Sequence, residues 1–224
     1  MKLLHIVATP RTDQSNTMRI ATAYLEAMCA NHVDLSVETV NLFLHDLPAI
    51  DGENIETKYT LMARRPIDKD HEASWRNIEC LIEQFLSADI YLISTPMWNL
   101  SVPYMLKYYI DAIVQPGYLF TYTKQGPMGL VQGKKMMCIT THGGDYSQGP
   151  FQALNFLEPY LRAIFGFVGV RDIEFVSAQP MDSSVEQREA AIATAIARVR
   201  QLAAGPALVL PQAAMAVEYQ PAHA

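Results

Sequence analysis

Three short stretches of this chain carry residue types suited to holding a flat ligand with a charged tail. The first is Thr9-Pro10-Arg11-Thr12-Asp13-Gln14-Ser15-Asn16-Thr17, a loop rich in hydroxyls that runs into an amphipathic pattern starting near Ser15 to Thr17. Free backbone N–H groups at a helix start, joined by Ser and Thr hydroxyls, make an anion site. Helix capping uses one such oxygen, not several. A dinucleotide site would show G-x-G-x-x-G here and a nucleoside triphosphatase G-x-x-x-x-G-K-S/T, and neither pattern occurs in the chain. A phosphate held by Ser15 to Thr17 without a glycine-rich loop points to a mononucleotide.

The second stretch, Thr95 to Pro103, is bracketed by prolines that keep the backbone extended and set where the next helix begins. Met97 and Trp98 offer polarisable or flat apolar surface to a ring, Asn99 offers a donor and an acceptor, and Leu100 follows them. With or without a ligand, this loop is expected to bury the tryptophan. The third stretch is Thr141-His142-Gly143-Gly144-Asp145-Tyr146, where two glycines mark a tight turn or a backbone that comes close to a bound group. Taken together, the three favour a mononucleotide with an aromatic head, such as FMN.

The elements that must carry these loops are legible from periodicity. Apolar, β-branched runs recur at Leu3 to Val7, Val37 to Leu42, Ile90 to Ser94, Met136 to Thr140 and Ile173 to Val176, with helical patterns between or after them. Ile20, Tyr24, Leu25 and Met28 form the inward face of the first helix, and Ile78, Leu81, Ile82, Phe85 and Leu86 that of another. Further helices are expected from Pro103 through Val114, over about Phe151 to Ile164, and from a capping box at Ser183 and Glu186, with Ile192, Ile196, Val199 and Ala203 inward. Strands apolar on both faces that alternate with helices imply a parallel sheet covered on both sides, a doubly wound α/β sandwich. Ligands of such sheets bind beyond the carboxyl ends of the strands, where all three loops fall.

Between Asn41 and Glu72 the pattern weakens and reads as an insertion with a short helix and an exposed, charged loop. Seventeen Lys and Arg against 23 Asp and Glu give a net charge of −6 and no basic stripe, which excludes nucleic acid as a partner. Cys29, Cys80 and Cys138 form no C-x-x-C pair and read as reduced, small buried hydrophobes of a cytoplasmic protein. The charge-free stretches Ile90 to Leu106 and Gln201 to Val217 are too short, and too rich in proline, for a membrane span. His71-Glu72 lacks the second histidine of H-E-x-x-H, the histidines show no metal spacing, and Gly144 to Gly149 misses G-x-S-x-G. The acids of a phosphate-receiving domain are replaced by Thr9-Pro10 and Thr95-Pro96.

At these loops the sequence resembles the FMN-dependent NADH azoreductases, which overlap with the NAD(P)H quinone reductases of flavodoxin-like fold. The resemblance rests on Thr9-Pro10-Arg11 with Ser15-Asn16-Thr17, on Pro96-Met97-Trp98-Asn99-Leu100, and on Gly117 to Thr123 leading to Gly126-Pro127-Met128-Gly129-Leu130. Gly143-Gly144-Asp145-Tyr146 and Glu158 to Gly169 add to it. It implies a flavodoxin-like sheet of five parallel strands in the order 2-1-3-4-5, a domain over 1–204 and a tail over 205–224. It further implies that Thr9, Ser15, Asn16 and Thr17 hold the phosphate and ribityl chain, that Met97, Trp98, Asn99 and Leu100 line the isoalloxazine, and that Thr141, His142, Gly143 and Gly144 approach its pyrimidine side. The family usually has Ser at the place of Thr9 and often Arg at that of His142, so a titrating charge near the flavin is expected here.

By the same resemblance the activity is two-electron, ping-pong hydride transfer from NADH or NADPH to quinones and azo compounds, with the flavin as the hydride carrier and no side-chain nucleophile. Arg64 and Arg65 are candidate readers of a 2′-phosphate. The family is homodimeric, and Tyr104, Tyr108, Tyr109, Tyr118, Phe120 and Tyr122 could supply the interface, some of them serving as core instead. A flavodoxin-like electron carrier without a substrate of its own is the competing reading.

Overall fold

The computed structural model describes residues 1–63, 65–67 and 69–205. Its central sheet is built from β1 (Lys2–Val7), β2 (Ser36–Asn41), β3 (Ile90–Pro96), β6 (Lys135–Thr141) and β7 (Asp172–Ala178). These strands are parallel and lie in the order β2-β1-β3-β6-β7. The strands β4 (Phe120–Thr123) and β5 (Gly126–Gly129) form a separate antiparallel hairpin, which the strand pattern alone does not announce. With that hairpin set aside, the order is the expected 2-1-3-4-5. The switch point lies between β1 and β3, and the loops after β1, β3 and β6 share the carboxyl edge beside it.

Two separate cores explain why both strand faces are apolar. On one side α1 (Asn16–Asn31) and α6 (Val185–Ala203) bury Ile20, Tyr24, Met28, Ile192 and Val199 against Leu3, Leu92 and Ile139. On the other, α3 (Lys69–Ser87), α4 (Tyr104–Ile113) and α5 (Leu157–Val168) bury Ile78, Ile82, Phe85, Leu106, Ile110 and Phe165 against Leu4, Ile6 and Tyr91. The stack of Phe85 on Tyr91, with ring centroids 4.2 Å apart, locks α3 to β3.

Four expectations are corrected here. The weakly patterned segment holds the expected short helix, α2 (Gly52–Met62), and is largely exposed, but it runs on into the first turn of α3, and its Ile67 packs in the core with Trp75 of that helix, which the sequence reading did not foresee. The helix expected from Phe151 is divided, because the Asn155 side chain accepts the N–H of Leu157 at 3.2 Å and of Glu158 at 3.3 Å and starts α5 afresh after a 3-10 turn at Pro150–Leu154. The cap of α6 is Ser184, which accepts from Gln187 N–H at 3.2 Å, while the Ser183 hydroxyl turns back to Pro180 O. Of the cysteines, Cys138 is buried in β6, whereas Cys29 and Cys80 are exposed. The expected tail, from residue 206 on, and Arg64 lie outside the described residues.

His5 sits inside β1, buried, with Nε2 2.8 Å from Ser94 Oγ on β3. Burial lowers its pKa to about 4. A folded-state pKa below the unfolded one gives stability that is full above the unfolded value of about 6.5 and is lost as pH falls through the folded one. Between pH 7 and pH 4 we expect His5 alone to remove about 3 kcal/mol. Urea unfolding at the two pH values, compared between the native chain and His5→Gln, checks this: the variant loses less on acidification, and equal losses would refute it.

Candidate functional site at the carboxyl edge of the sheet

The turn after β1 delivers its polar groups through the start of α1. Ser15 is the N-cap and accepts Met18 N–H at 3.3 Å, and Arg19 N–H closes onto Ser15 O at 3.1 Å. The N–H groups of Asn16 and Thr17, in the first turn, have no intrahelical acceptor and remain for a ligand. Thr9 is buried at the strand end, where its hydroxyl accepts Arg11 N–H at 3.4 Å. Asn16 is drawn toward the β7–α6 connection by a contact of its Nδ2 with Met181 Sδ at 3.7 Å. The N-terminal end of the helix dipole adds to the preference for an anion.

Thr17 and Thr141 meet in the interior, their hydroxyl oxygens 2.6 Å apart, and so join the first turn of α1 to the end of β6. Two hydroxyls in one hydrogen bond leave one proton for a further acceptor. We expect Thr17→Val to cost about 1–2 kcal/mol by orphaning Thr141, and Thr17→Ser to restore most of it; urea midpoints report both.

The turn after β3 is a two-residue reversal. Trp98 N–H donates to Ser101 O at 2.9 Å and Ser101 N–H to Trp98 O at 3.0 Å. Asn99 (φ 47°) and Leu100 (φ 70°) both lie in the left-handed region, as a type I′ turn requires, and a leucine there is strained. Phe156 N–H donates to Leu100 O at 3.0 Å, and Met97 N–H donates to Thr141 O at 2.8 Å, which ties this turn to the third. The expected burial of the tryptophan does not hold: Trp98 is 36% exposed. It packs edge-on against Phe43 at 5.8 Å and near Tyr104 at 6.4 Å, so the structure presents an aromatic surface at the sheet edge. Phe43, missed in the sequence, is placed by an N–H bond to Asn41 Oδ1 at 3.0 Å just past β2.

The turn after β6 is held by the β7–α6 connection, also missed. His142 N–H donates to Ala178 O, Met181 N–H to His142 O and Asp182 N–H to Gly143 O, at 3.1, 2.8 and 2.9 Å. A Cβ on Gly143 would fall on the Asp182 carboxylate, and one on Gly144 would lie 3.3 Å from the Tyr146 ring, so the packing of these two side chains onto the turn favours glycine at both positions. Asp145 takes the Ser147 hydroxyl at 2.6 Å and N–H at 2.9 Å, bonds that lower its pKa and fold the loop back. His142 is fully buried, and burial lowers its pKa against the opposing pull of Glu158 and a contact with Gln179. Burial thus disfavours the charged form of this imidazole.

Among the residues expected at an interface, Tyr109, Tyr118 and Phe120 belong to the core, while Tyr104 and Tyr122 are exposed by 65% and 58%. Tyr108 donates its hydroxyl to Pro48 O at 2.9 Å. Among the described residues no cluster of His, Cys, Asp and Glu could hold a metal ion, and no helix is long and apolar enough to cross a membrane. The arrangement thus offers an anion cradle at α1, aromatic and thioether surface after β3, and uncharged backbone after β6. That donor set matches a mononucleotide with an uncharged ring.

Residues 1–203 match the model of a family described by its flavodoxin-like fold. A curated relative, the FMN-dependent NADH:quinone oxidoreductase 3 of Bacillus anthracis, is 34% identical over 206 residues, which cover 90% of this chain and 98% of the relative. The crystal structure of an azoreductase from Bacillus anthracis str. Sterne superposes with a TM-score of 0.84 at 25% identity, covering 91% of this chain and 99% of that one. An FMN-dependent NADH-azoreductase from Bacillus anthracis str. Ames Ancestor, crystallised in complex with FMN, gives a TM-score of 0.79 at 26% identity, over 90% of this chain and 99% of that one.

Proposed function

The chain belongs to the family of flavodoxin-like fold that its residues 1–203 match, and from this membership we propose that it is an FMN-dependent oxidoreductase that takes electrons from NADH and reduces quinones and azo compounds. The observation that carries the reading is the meeting of three turns at one sheet edge, tied by the Thr17–Thr141 pair and the Met97 N–H to Thr141 O bond, in a chain 34% identical to a quinone reductase of this cofactor. Bound FMN would supply the two-electron hydride chemistry.

The residues of this chain do the rest. Thr9, Ser15, Asn16 and Thr17 hold the phosphate and ribityl chain, Met97, Trp98, Asn99 and Leu100 line the ring, and Thr141, His142, Gly143 and Gly144 border its pyrimidine side. Backbone N–H groups at Gly143 and Gly144 stabilise negative charge arising at that side during reduction. The exposed surface of Trp98, Tyr104 and Phe156 receives aromatic donors and acceptors in turn at one place, which gives ping-pong kinetics. The exposed rings of Tyr104 and Tyr122, at the rim of this site and on the hairpin, are the proposed contact between two copies in a homodimer.

The test is anaerobic mixing of the FMN-loaded protein with NADH and, separately, NADPH, followed by reoxidation with a panel of quinones and azo dyes. We expect bleaching of the flavin by the nicotinamide before the acceptor is added, then full recovery of the oxidised spectrum with acceptor. A protein that takes up no FMN at micromolar concentration overturns the reading. One that binds FMN but is not reduced by either nicotinamide is a carrier instead.

A further inference from the structure

The connection between β7 and α6 touches two of the three turns at the binding edge. Met181 Sδ lies 3.7 Å from Asn16 Nδ2 on the first turn. Met181 N–H donates to His142 O at 2.8 Å, Asp182 N–H to Gly143 O at 2.9 Å and Tyr146 N–H to Gln179 Oε1 at 2.9 Å on the third. The span from Gln179 to Asp182 thus joins the anion cradle to the glycine turn and forms a fourth side of the same edge. Neither turn is sealed by it, since Asn16 and Gly143 are half-buried and Gly144 is exposed.

Asp182 is the one charged residue of this span. Its carboxylate is exposed and rests over Gly143, in the space that a Cβ there would take. Among the described residues it forms no ion pair. The charges on the elements around it are engaged elsewhere: Asp145 takes the Ser147 hydroxyl and N–H, Arg19 of α1 pairs with Glu189 of α6 at 2.7 Å, and Arg188 Nη1 donates to Met181 O at 3.3 Å. A negative charge without a partner therefore stands against the backbone that borders the pyrimidine side of the ring in the function proposed above.

A carboxylate in this place bears on a two-electron carrier. NADH gives up one hydride and leaves as NAD+, and the ring gains two electrons and one proton, hence one negative charge, until a second proton arrives from solvent. A fixed negative charge nearby raises the free energy of that added charge and favours uptake of the second proton. We propose that Asp182 sets the potential of the bound ring below the value that the N–H groups of Gly143 and Gly144 alone would give, and so fits the site to acceptors of low reduction potential. This rests on the flavin reading above. Asp182 acts through its field and touches no reacting atom, and the backbone N–H groups act with the opposite sign.

The test is the reduction potential of FMN bound to the full chain, read by absorbance against reference dyes at about pH 9 and about pH 6 in low salt. At about pH 9 we expect Asp182→Asn and Asp182→Ser each to shift the two-electron equilibrium about tenfold toward the reduced ring, a rise of about 30 mV, and Asp182→Glu to keep the native value. The rise is expected to shrink at about pH 6, where the second proton neutralises the reduced ring, and in high salt, where the exposed charge is screened. Asp34→Asn, which removes the same charge at the opposite edge of the sheet, just before β2, is expected to leave the potential unchanged. Equal potentials in the native chain and both neutral variants at about pH 9, a rise of one size at both pH values, or the same rise in Asp34→Asn overturns the role of Asp182 and leaves the proposed function standing. A native chain that takes up no FMN overturns that function and this role with it.

Discussion

In a Ser15→Asp variant, we expect a chain that folds as before and binds FMN at least a thousandfold more weakly. Ser15 has two roles that aspartate separates. As the N-cap of α1 it accepts Met18 N–H, and aspartate caps as well as serine and favours the positive end of the helix dipole. As part of an anion cradle it must tolerate a phosphate beside it. A carboxylate about 5 Å from a phosphate at an effective dielectric of 20 costs roughly 3 kcal/mol per unit of charge, and a phosphate monoester carries about −1.5 to −2 at neutral pH. A thousandfold corresponds to about 4 kcal/mol. Circular dichroism and urea unfolding of the FMN-free protein report the first half of the expectation, and fluorescence quenching of added FMN reports the second. Undiminished affinity would place the phosphate elsewhere, and the cradle at Asn16 and Thr17 would lose its ligand.

Much of the scaffold was legible in the sequence because the strands are apolar on both faces and the helices carry long inward stripes. Ile78, Leu81, Ile82 and Phe85 are buried as their spacing predicts. The three turns at the carboxyl edge could be picked out because strand ends of a doubly wound sheet are fixed by topology, and hydroxyl, aromatic and glycine residues stand out there. What could not be read is whatever depends on contact between distant segments. The lowered pKa of His142 follows from burial beneath the β7–α6 connection, and neither the residue type nor its neighbours in sequence reveals it. The exposure of Trp98 comes from a type I′ turn built on Asn99 and Leu100, a conformation that sequence assigns to Asn-Gly rather than Asn-Leu. Phe43 joins the site through a turn set by Asn41, in a stretch whose polarity resembles ordinary surface. The division of the helix at Asn155 was missed for a related reason, since one side chain outcompetes a continuous apolar stripe.

The second large effect is on stability, and it comes from the hairpin that lies outside the main sheet. Gly129, at the end of β5, and Gly169, which closes α5 at φ 112°, face each other backbone to backbone. A Cβ on Gly129 would strike the main chain of Val168 and Gly169, coming within 2.5 Å of Val168 O, and one on Gly169 would lie 2.7 Å from Val131 O. These obstacles are peptide atoms anchored by Val131 N–H to Val168 O at 2.9 Å and Leu130 N–H to Leu119 O at 2.8 Å, so no side-chain rotation relieves them. Gly129→Ala therefore has to push the hairpin off the end of α5. Overpacking of this kind costs about 1–3 kcal/mol, and the two strained or broken hydrogen bonds add about 1 kcal/mol each, so we expect a loss near 4 kcal/mol. A drop of that size in unfolding free energy from urea titration, with an unchanged dependence on denaturant, is the signature of a destabilised but still cooperative fold. A loss below about 1 kcal/mol would mean that the hairpin moves freely on α5, leaving Tyr122 without a fixed place in any contact between two copies.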